Sequence, residues 1–307
     1  MRSPDDGSSG PLVSIAIPFY GSYGAYFEQC LRSIAAQTYT RWEAIVVDDA
    51  SGNDIAAAVI ERIGDARIRL LRHSHNRGQA AGRNTAIRQS HGLLLMPVDC
   101  DDCLAPTHIE ELVAALQAHP ESGAAYADFE LFGTVTGTLP WPAGNTRSLL
   151  REQWIPHPGT IVRRHLWESI DGYCEDEAFR AGNEDWDYFL SLAEAGLTAV
   201  RVAKPLYRYR QHPGSITSSQ FERADYRMRE LMYRRHRALF DRFGMRRPFL
   251  AGGYRASGKA FWRGGERLRG LALLARAAWL APWDFATTVV SRMRGRAGHA
   301  ILTPSAT

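Results

Sequence analysis

Residues 93–102 read Leu-Leu-Leu-Met-Pro-Val-Asp-Cys-Asp-Asp, an apolar run of strand length that ends in three carboxylates within four positions. Three similar runs come before it: Leu12–Pro18 (LVSIAIP), Trp42–Val47 (WEAIVV) and Ile68–Leu71. Helical patterns lie between them, at about Tyr26–Gln37, Asp54–Ile63 and Ala80–Ser90. Strands that alternate with helices of this length imply βαβ units and a mostly parallel sheet. Ligands of such sheets bind beyond the C-terminal ends of the strands. At those ends stand Pro18-Phe19-Tyr20, Asp48-Asp49-Ala50-Ser51-Gly52 and Asp99-Cys100-Asp101-Asp102. A rim this rich in carboxylate is unfavourable unless a cation or hydrogen-bond donors face it.

Further along, about Gly133–Trp154 is rich in loop residues. Asn183 then precedes Glu184-Asp185-Trp186-Asp187-Tyr188-Phe189-Leu190, with Gly196 after Ala195. This is the pattern of a helix capped by Asn183, with acids in its first turn and a glycine stop. Leu197–Val202 reads as a returning strand. Asp99 and Asp101 are two apart at the end of the fourth strand, whose period of two puts them on one face and Cys100 on the other. Two hard oxygen donors on one face suit Mg²⁺ or Mn²⁺ shared with a substrate phosphate. A solvated acidic turn has the same spacing, and spacing alone leaves both readings open.

Five stretches in order, VSIAIPFY, AIVVDDASGND, HNRGQAAGRNTAIRQSHG, LLLMPVDCDD and GNEDWDYFLSLAEAG, resemble the family 2 glycosyltransferases over roughly residues 11–220. The resemblance implies an α/β fold of GT-A (Rossmann-like) type, a mixed, mostly parallel sheet flanked by helices. It also implies metal-dependent transfer of a sugar from a nucleoside diphosphate sugar to a hydroxyl acceptor, with inversion. Matched residue by residue, it assigns Pro18, Phe19, Tyr20, Asp48 and Asp49 to the nucleoside, with Arg83 and Asn84 close by. Asp99 and Asp101 match the D-x-D motif, with Asp99 near the ribose or sugar and Asp101 on Mn²⁺ or Mg²⁺. Asp185 matches the catalytic base, and His212 falls where relatives carry a histidine near the metal or diphosphate. Asp102, His157, Glu184 and Trp186 lie toward the donor sugar and acceptor. The chain departs from the family pattern at Gly21, where relatives commonly have Asn, and at Asp171-Gly172, where they have a glycine pair. Ser191 stands near the place of a frequent arginine. None of these removes a carboxylate.

Other classes fit less well. A dinucleotide-dependent oxidoreductase needs G-x-G-x-x-G after the first strand, and PFYGSYG does not supply it. A nucleotidyltransferase needs a glycine-rich basic loop there. A D-x-D phosphatase should have Thr or Val in place of Asp102. The remaining competitor is a catalytically degenerate carbohydrate- or nucleotide-binding scaffold. Trp141 and Trp154, in the loop-rich stretch, read as packing residues more readily than as sugar platforms. His73, His75 and His91 read as surface residues.

The 307 residues are 45% apolar and 23% charged, which suits an ordinary folded chain. The net charge of +4 averages two opposites, because residues 221–307 hold 18 basic and 6 acidic side chains. The expected organisation is a disordered stretch over 1–10, a catalytic domain over 11–220 and a helical basic appendage over 221–307. In the appendage Leu268, Leu271, Leu274 and Ala278 fall on one helical face, with Arg269 and Arg276 on another. That face suits either an anionic membrane or packing against the catalytic domain. No nucleic-acid motif accompanies the basic charge. Cys30, Cys100, Cys103 and Cys174 are too scattered for a disulfide framework, and Cys100–Cys103 has no second pair to complete a zinc site. The polar N-terminus lacks a signal-type apolar core, so a cytoplasmic protein is expected, peripheral on the inner face of the membrane if the appendage binds there.

Overall fold

The computed structural model describes residues 10–212 and 219–282. The expected disordered N-terminus lies almost wholly outside them, as do the last quarter-hundred residues of the basic region. The chain divides after Thr217 into two compact units.

The first unit alternates as the patterning requires: β1 (Val13–Phe19), α1 (Gly24–Ala35), β2 (Trp42–Asp48), α2 (Ile55–Ile63), β3 (Ile68–Arg72), α3 (Gln79–Arg88) and β4 (Leu94–Pro97). All four strands pair in parallel in the order β3-β2-β1-β4. Every residue of β1 is buried, as expected of a central strand with both faces covered. The sheet then turns mixed. It continues through β5 (Cys103–Leu104), α4 (His108–Ala118), β6 (Ala124–Gly133), β7 (Gly137–Leu139), α5 (Thr146–Leu149), β8 (Ile161–Arg163), α6 (Arg164–Ser169), α7 (Glu184–Glu194) and β9 (Ala199–Gln211). The full order is β3-β2-β1-β4-β8-β6-β9-β5, with β7 paired to β6.

Three readings are corrected. The returning strand is not confined to 197–202: β9 runs on to Gln211, and register shifts beside Ala127 and Asp128 of β6 carry it past Pro205. Strand β4 ends at Pro97, and Asp99–Asp102 form a turn closed by the Asp102 amide on the Asp99 carbonyl, 3.0–3.1 Å being an ordinary length for such a bond (3.1 Å here). Strand periodicity therefore does not orient Asp99 and Asp101. Asn183 stands at the N-cap of α7 but in a left-handed conformation (φ 63°), and its side chain makes no capping bond. The glycine stop is as expected: the Gly196 amide bonds Ala193 and the Leu197 amide bonds Leu192, the double closure of a Schellman motif.

The described residues of the second unit form four helices and their short connections: α8 (Ser219–Arg235), α9 (Arg237–Phe243), α10 (Arg246–Arg263) and α11 (Arg267–Leu280). The Phe240 and Phe249 rings lie tilted at 4.4 Å, and Met228, Met232 and Tyr254 are buried in the same unit. Helices α10 and α11 approach through Gly258 and Gly270: a Cβ on Gly270 would lie 2.9 Å from the Gly258 carbonyl oxygen. The helix reading of Leu268, Leu271, Leu274 and Ala278 as one face is divided by the fold. Leu268 and Leu271 face outward, while Leu274 packs over Gly258.

Candidate active site

The acidic rim is assembled from the ends of β1 and β2. Phe19 and Pro18 are buried, Phe19 against the Phe27 ring at 4.8 Å, so of the Pro18-Phe19-Tyr20 segment the exposed side chain is Tyr20, at 58%. Asp48 and Asp49 are buried too. Asp48 accepts from the Ser51 amide at 2.9 Å and holds the turn after β2. Asp49 accepts from the amides of Arg77 (2.9 Å) and Gly78 (2.7 Å), which fixes the entry to α3. A carboxylate there also complements the helix dipole. Its Oδ1 lies 2.6 Å from Nδ1 of His73, whose Nε2 lies 2.9 Å from the Thr85 hydroxyl. With a carboxylate on one nitrogen, Nδ1–H donates to Asp49. His73, expected on the surface, is thus a side chain only 6% exposed, because Asp49 and Thr85 need both its nitrogens. His75 and His91 are exposed as expected.

Helix α3, held in this way, delivers Arg83. The guanidinium is 2% exposed and donates to Glu184 Oε1 (2.7 Å), Asp99 Oδ1 (3.0 Å) and Gln79 Oε1 (3.1 Å). One cation thereby joins the D-x-D turn to the first turn of α7. Burial raises the carboxyl pKa values of both Asp99 and Glu184, and Arg83 opposes that rise in each. Asp185 is close enough to raise both of them further. Gly82, the residue before Arg83, sits over Pro18, and a Cβ there would come within 3.1 Å of the Pro18 Cβ.

Asp185 is half-buried at the start of α7. Its Oδ2 accepts from Gln153 Nε2 at 3.0 Å, and its Oδ1 from the Trp186 amide at 2.8 Å. Gln153, which the sequence reading passed over, also lines a cleft of about 230 Å³ with Leu139, Trp141, Pro142, Glu152 and Trp154. Trp154 bonds the Asn145 carbonyl and Trp141 packs on Phe129, contacts that anchor both rings at the wall of this cleft.

On the other side of the D-x-D turn, Asp101 Oδ2 lies 2.9 Å from His212 Nε2. The imidazole stands against the rings of Tyr23 (5.6 Å) and Tyr26 (5.2 Å). Arg210 donates to the Asp101 carbonyl and lies over the Tyr26 ring at 4.3 Å. A carboxylate oxygen and an imidazole nitrogen this close together are donor types suited to Mn²⁺ or Mg²⁺, which keep further positions for phosphate and water. Among the described residues no group of three or more metal-ligating side chains occurs.

The four residues expected toward the sugar and acceptor lie beneath the rim. Asp102 accepts from the Tyr207 hydroxyl and the Arg210 amide, both at 2.7 Å, and burial pushes its carboxyl well above the usual range. His157 lies 2.9 Å from the Tyr173 hydroxyl, and burial holds its imidazole well below the usual pKa. Glu184 is occupied by Arg83, and the Trp186 indole donates to the Leu149 carbonyl at 2.8 Å. Asn84 is similarly engaged: its amide donates to the Tyr173 carbonyl and Glu175 and accepts from the Tyr173 amide. Gly172 permits this approach, since a Cβ there would lie 2.5 Å from the Asn84 oxygen. Tyr207 and Arg210 were also passed over; the alternation of LYRYRQH over 206–212 was the signal that could have placed them on a buried strand. Cys30, Cys100, Cys103 and Cys174 are free thiols, and burial raises the pKa of the first three.

Residues 14–164 match the sequence model of glycosyl transferase family 2. The O-antigen biosynthesis protein RfbC of Myxococcus xanthus is 28% identical over 217 residues, covering 69% of this chain. The chain spans 16% of the length of RfbC and 24% of another curated relative. The Escherichia coli UDP-Glc:alpha-D-GlcNAc-diphosphoundecaprenol beta-1,3-glucosyltransferase WfgD is 26% identical over 215 residues, 69% of this chain and 81% of WfgD. Among solved structures, S. aureus TarS 1-349 in complex with UDP-GlcNAc superposes with a TM-score of 0.63 at 16% identity, over 95% of each chain. That likeness bears on the fold, and the expected GT-A architecture is met.

Proposed function

Because this chain belongs to glycosyl transferase family 2, we propose that it transfers a sugar from a nucleoside diphosphate sugar to a hydroxyl acceptor, with inversion, at the rim joined by Arg83. The observation that carries this reading is the convergence on one buried guanidinium of Asp99 and Glu184, from motifs far apart in the chain. It brings the D-x-D turn and the E-D-W-D helix to one place. Tyr20 and the turn shaped by Asp48 and Asp49 receive the nucleoside. Asp99 faces the ribose or the donor sugar.

Asp101 and His212 would hold a divalent ion, and Mn²⁺ or Mg²⁺ bound there would offset charge on the departing diphosphate. Asp185 accepts the proton of the acceptor hydroxyl as its oxygen bonds to the anomeric carbon. The bond from that carbon to the diphosphate breaks at the same time, and the electron pair leaves with the diphosphate. One carboxylate suffices because no glycosyl-enzyme intermediate forms. Gln153 fixes the orientation of Asp185 through its Oδ2. Residues 11–220 carry this chemistry, and the helical unit is an appendage to it. The acceptor is a growing cell-surface glycan or a lipid-linked precursor, the latter being the acceptor class in the name of WfgD.

The test is a screen of nucleoside diphosphate sugars with the full chain, with Mn²⁺, Mg²⁺ or a chelator, read as release of nucleoside diphosphate. Metal-dependent release with at least one donor, abolished in Asp185→Asn, is expected. Donor binding without turnover, unchanged in Asp185→Asn, would favour a binding scaffold instead. Chelator-insensitive turnover would remove the metal role of Asp101 and His212.

A further inference from the structure

Helix α11 has two apolar sides. Gly270, Ala277 and Leu280 are buried within the helical unit, with Leu274 against Gly258. Leu268, Leu271, Ala272, Ala275 and Trp279 are all exposed, Leu268 at 86% and Trp279 at 77%. Their spacing of three and four residues makes one stripe along the helix, opposite the packed side. Charged residues border that stripe: Arg269 and Arg276 fall along one edge and Arg267 along the other. Arg267 also lies over the ring of Trp262, which is itself 44% exposed.

Exposure of large apolar side chains as a contiguous stripe, on a helix whose inner face is already packed, marks a contact surface. The charge around it selects the partner. Residues 221–282 hold fifteen basic and five acidic side chains. A second copy of this chain would bring a like charge against the stripe, whereas an anionic surface would be attracted. Tryptophan, leucine and flanking arginine are the composition of a helix lying in the interface of a bilayer. At 14 residues, α11 is about 21 Å long, too short to cross a hydrocarbon core of about 30 Å. We propose that the Leu268–Trp279 stripe of α11 docks on an anionic lipid bilayer, with the helix lying in the plane of the interface. The lipid contact is independent of the sugar chemistry proposed above.

Co-sedimentation of the full chain with phosphatidylcholine vesicles, with and without phosphatidylglycerol, tests this. Binding to the anionic vesicles about tenfold or more tighter than to neutral ones, and weakened by salt, is expected. The variant Leu268→Gln/Leu271→Gln/Trp279→Gln should lose about tenfold or more of that binding, with an unchanged melting temperature and helical circular dichroism. Leu268→Gln alone, at the most exposed position, should lose part of it and serves if the triple variant is destabilised. No preference for anionic vesicles, or equal binding by the folded variants, would overturn the proposal. So would a dimer of the wild-type chain in lipid-free sedimentation velocity that the triple variant abolishes, because the occupant would then be a second copy.

Discussion

Arg83 donates to Glu184 at 2.7 Å across 101 positions of sequence, and both side chains are almost closed to solvent. A buried ion pair contributes little net stability when intact, but removing one partner leaves an uncompensated buried charge. Here the same guanidinium also serves Asp99, so its loss strands two carboxylates at once. The pair is therefore a fastener between two motifs more than a source of stability.

Arg83→Met should destabilise the catalytic unit by about 3–5 kcal/mol, measured by urea unfolding. Arg83→Lys keeps the charge but lacks the planar fork that reaches three acceptors. It should recover part of the stability and little of the activity. In a double-mutant cycle with Glu184→Gln, the two losses should be far from additive.

Asp185→Asn should lower kcat by about 10²–10⁴ with little change in melting temperature, because the side chain is half-exposed and the amide oxygen can still accept from the Trp186 backbone amide. Donor affinity, measured by calorimetry, should stay close to wild type. Gln153→Ala should lower kcat by about tenfold and should add little to Asp185→Asn, since it acts through that carboxylate.

Asp101→Asn and His212→Ala should each weaken Mn²⁺ binding in the presence of nucleoside diphosphate by about tenfold or more. Titration calorimetry reads this directly, without turnover. Equal Mn²⁺ affinity in both variants would remove the pair from the metal site.

His108 supplies a pH dependence of stability. It is fully buried, bonds the Gly159 carbonyl at 2.8 Å, and burial lowers its pKa from 6.5 to about 4. Between those values the unfolded chain binds a proton that the folded chain does not, so stability rises with pH there. The contribution is complete above about pH 6.5 and is lost as the pH falls toward 4. Between pH 7 and 5 this amounts to about 2 kcal/mol. Urea unfolding at the two pH values should show that loss, and His108→Leu should reduce it.

The alternation of apolar runs and helical patterns was enough to read β1 to β4 and α1 to α3, since each run carries its period in consecutive residues. Strand β9 was read too short, because the register shifts that take it past Pro205 depend on its partner β6. The motif carboxylates were legible as an acidic set. The directions they face were not, because Asp99–Asp102 is a turn and not a strand, and a turn has no side-chain period.

The sequence by itself determined the chemistry available: carboxylates at strand ends, a basic second unit, and the order of motifs that marks the family. Only the tertiary structure decided which of those groups meet. Burial is a property of packing between distant segments, and it separated Asp101 and Asp185, which stay partly exposed, from Asp48, Asp49 and Asp102, which are closed to solvent and bond amides and a hydroxyl of the fold. It likewise divided the apolar residues of α11 into a packed side and an exposed one, since the close Gly258–Gly270 crossing fixes which side of the helix faces its neighbour.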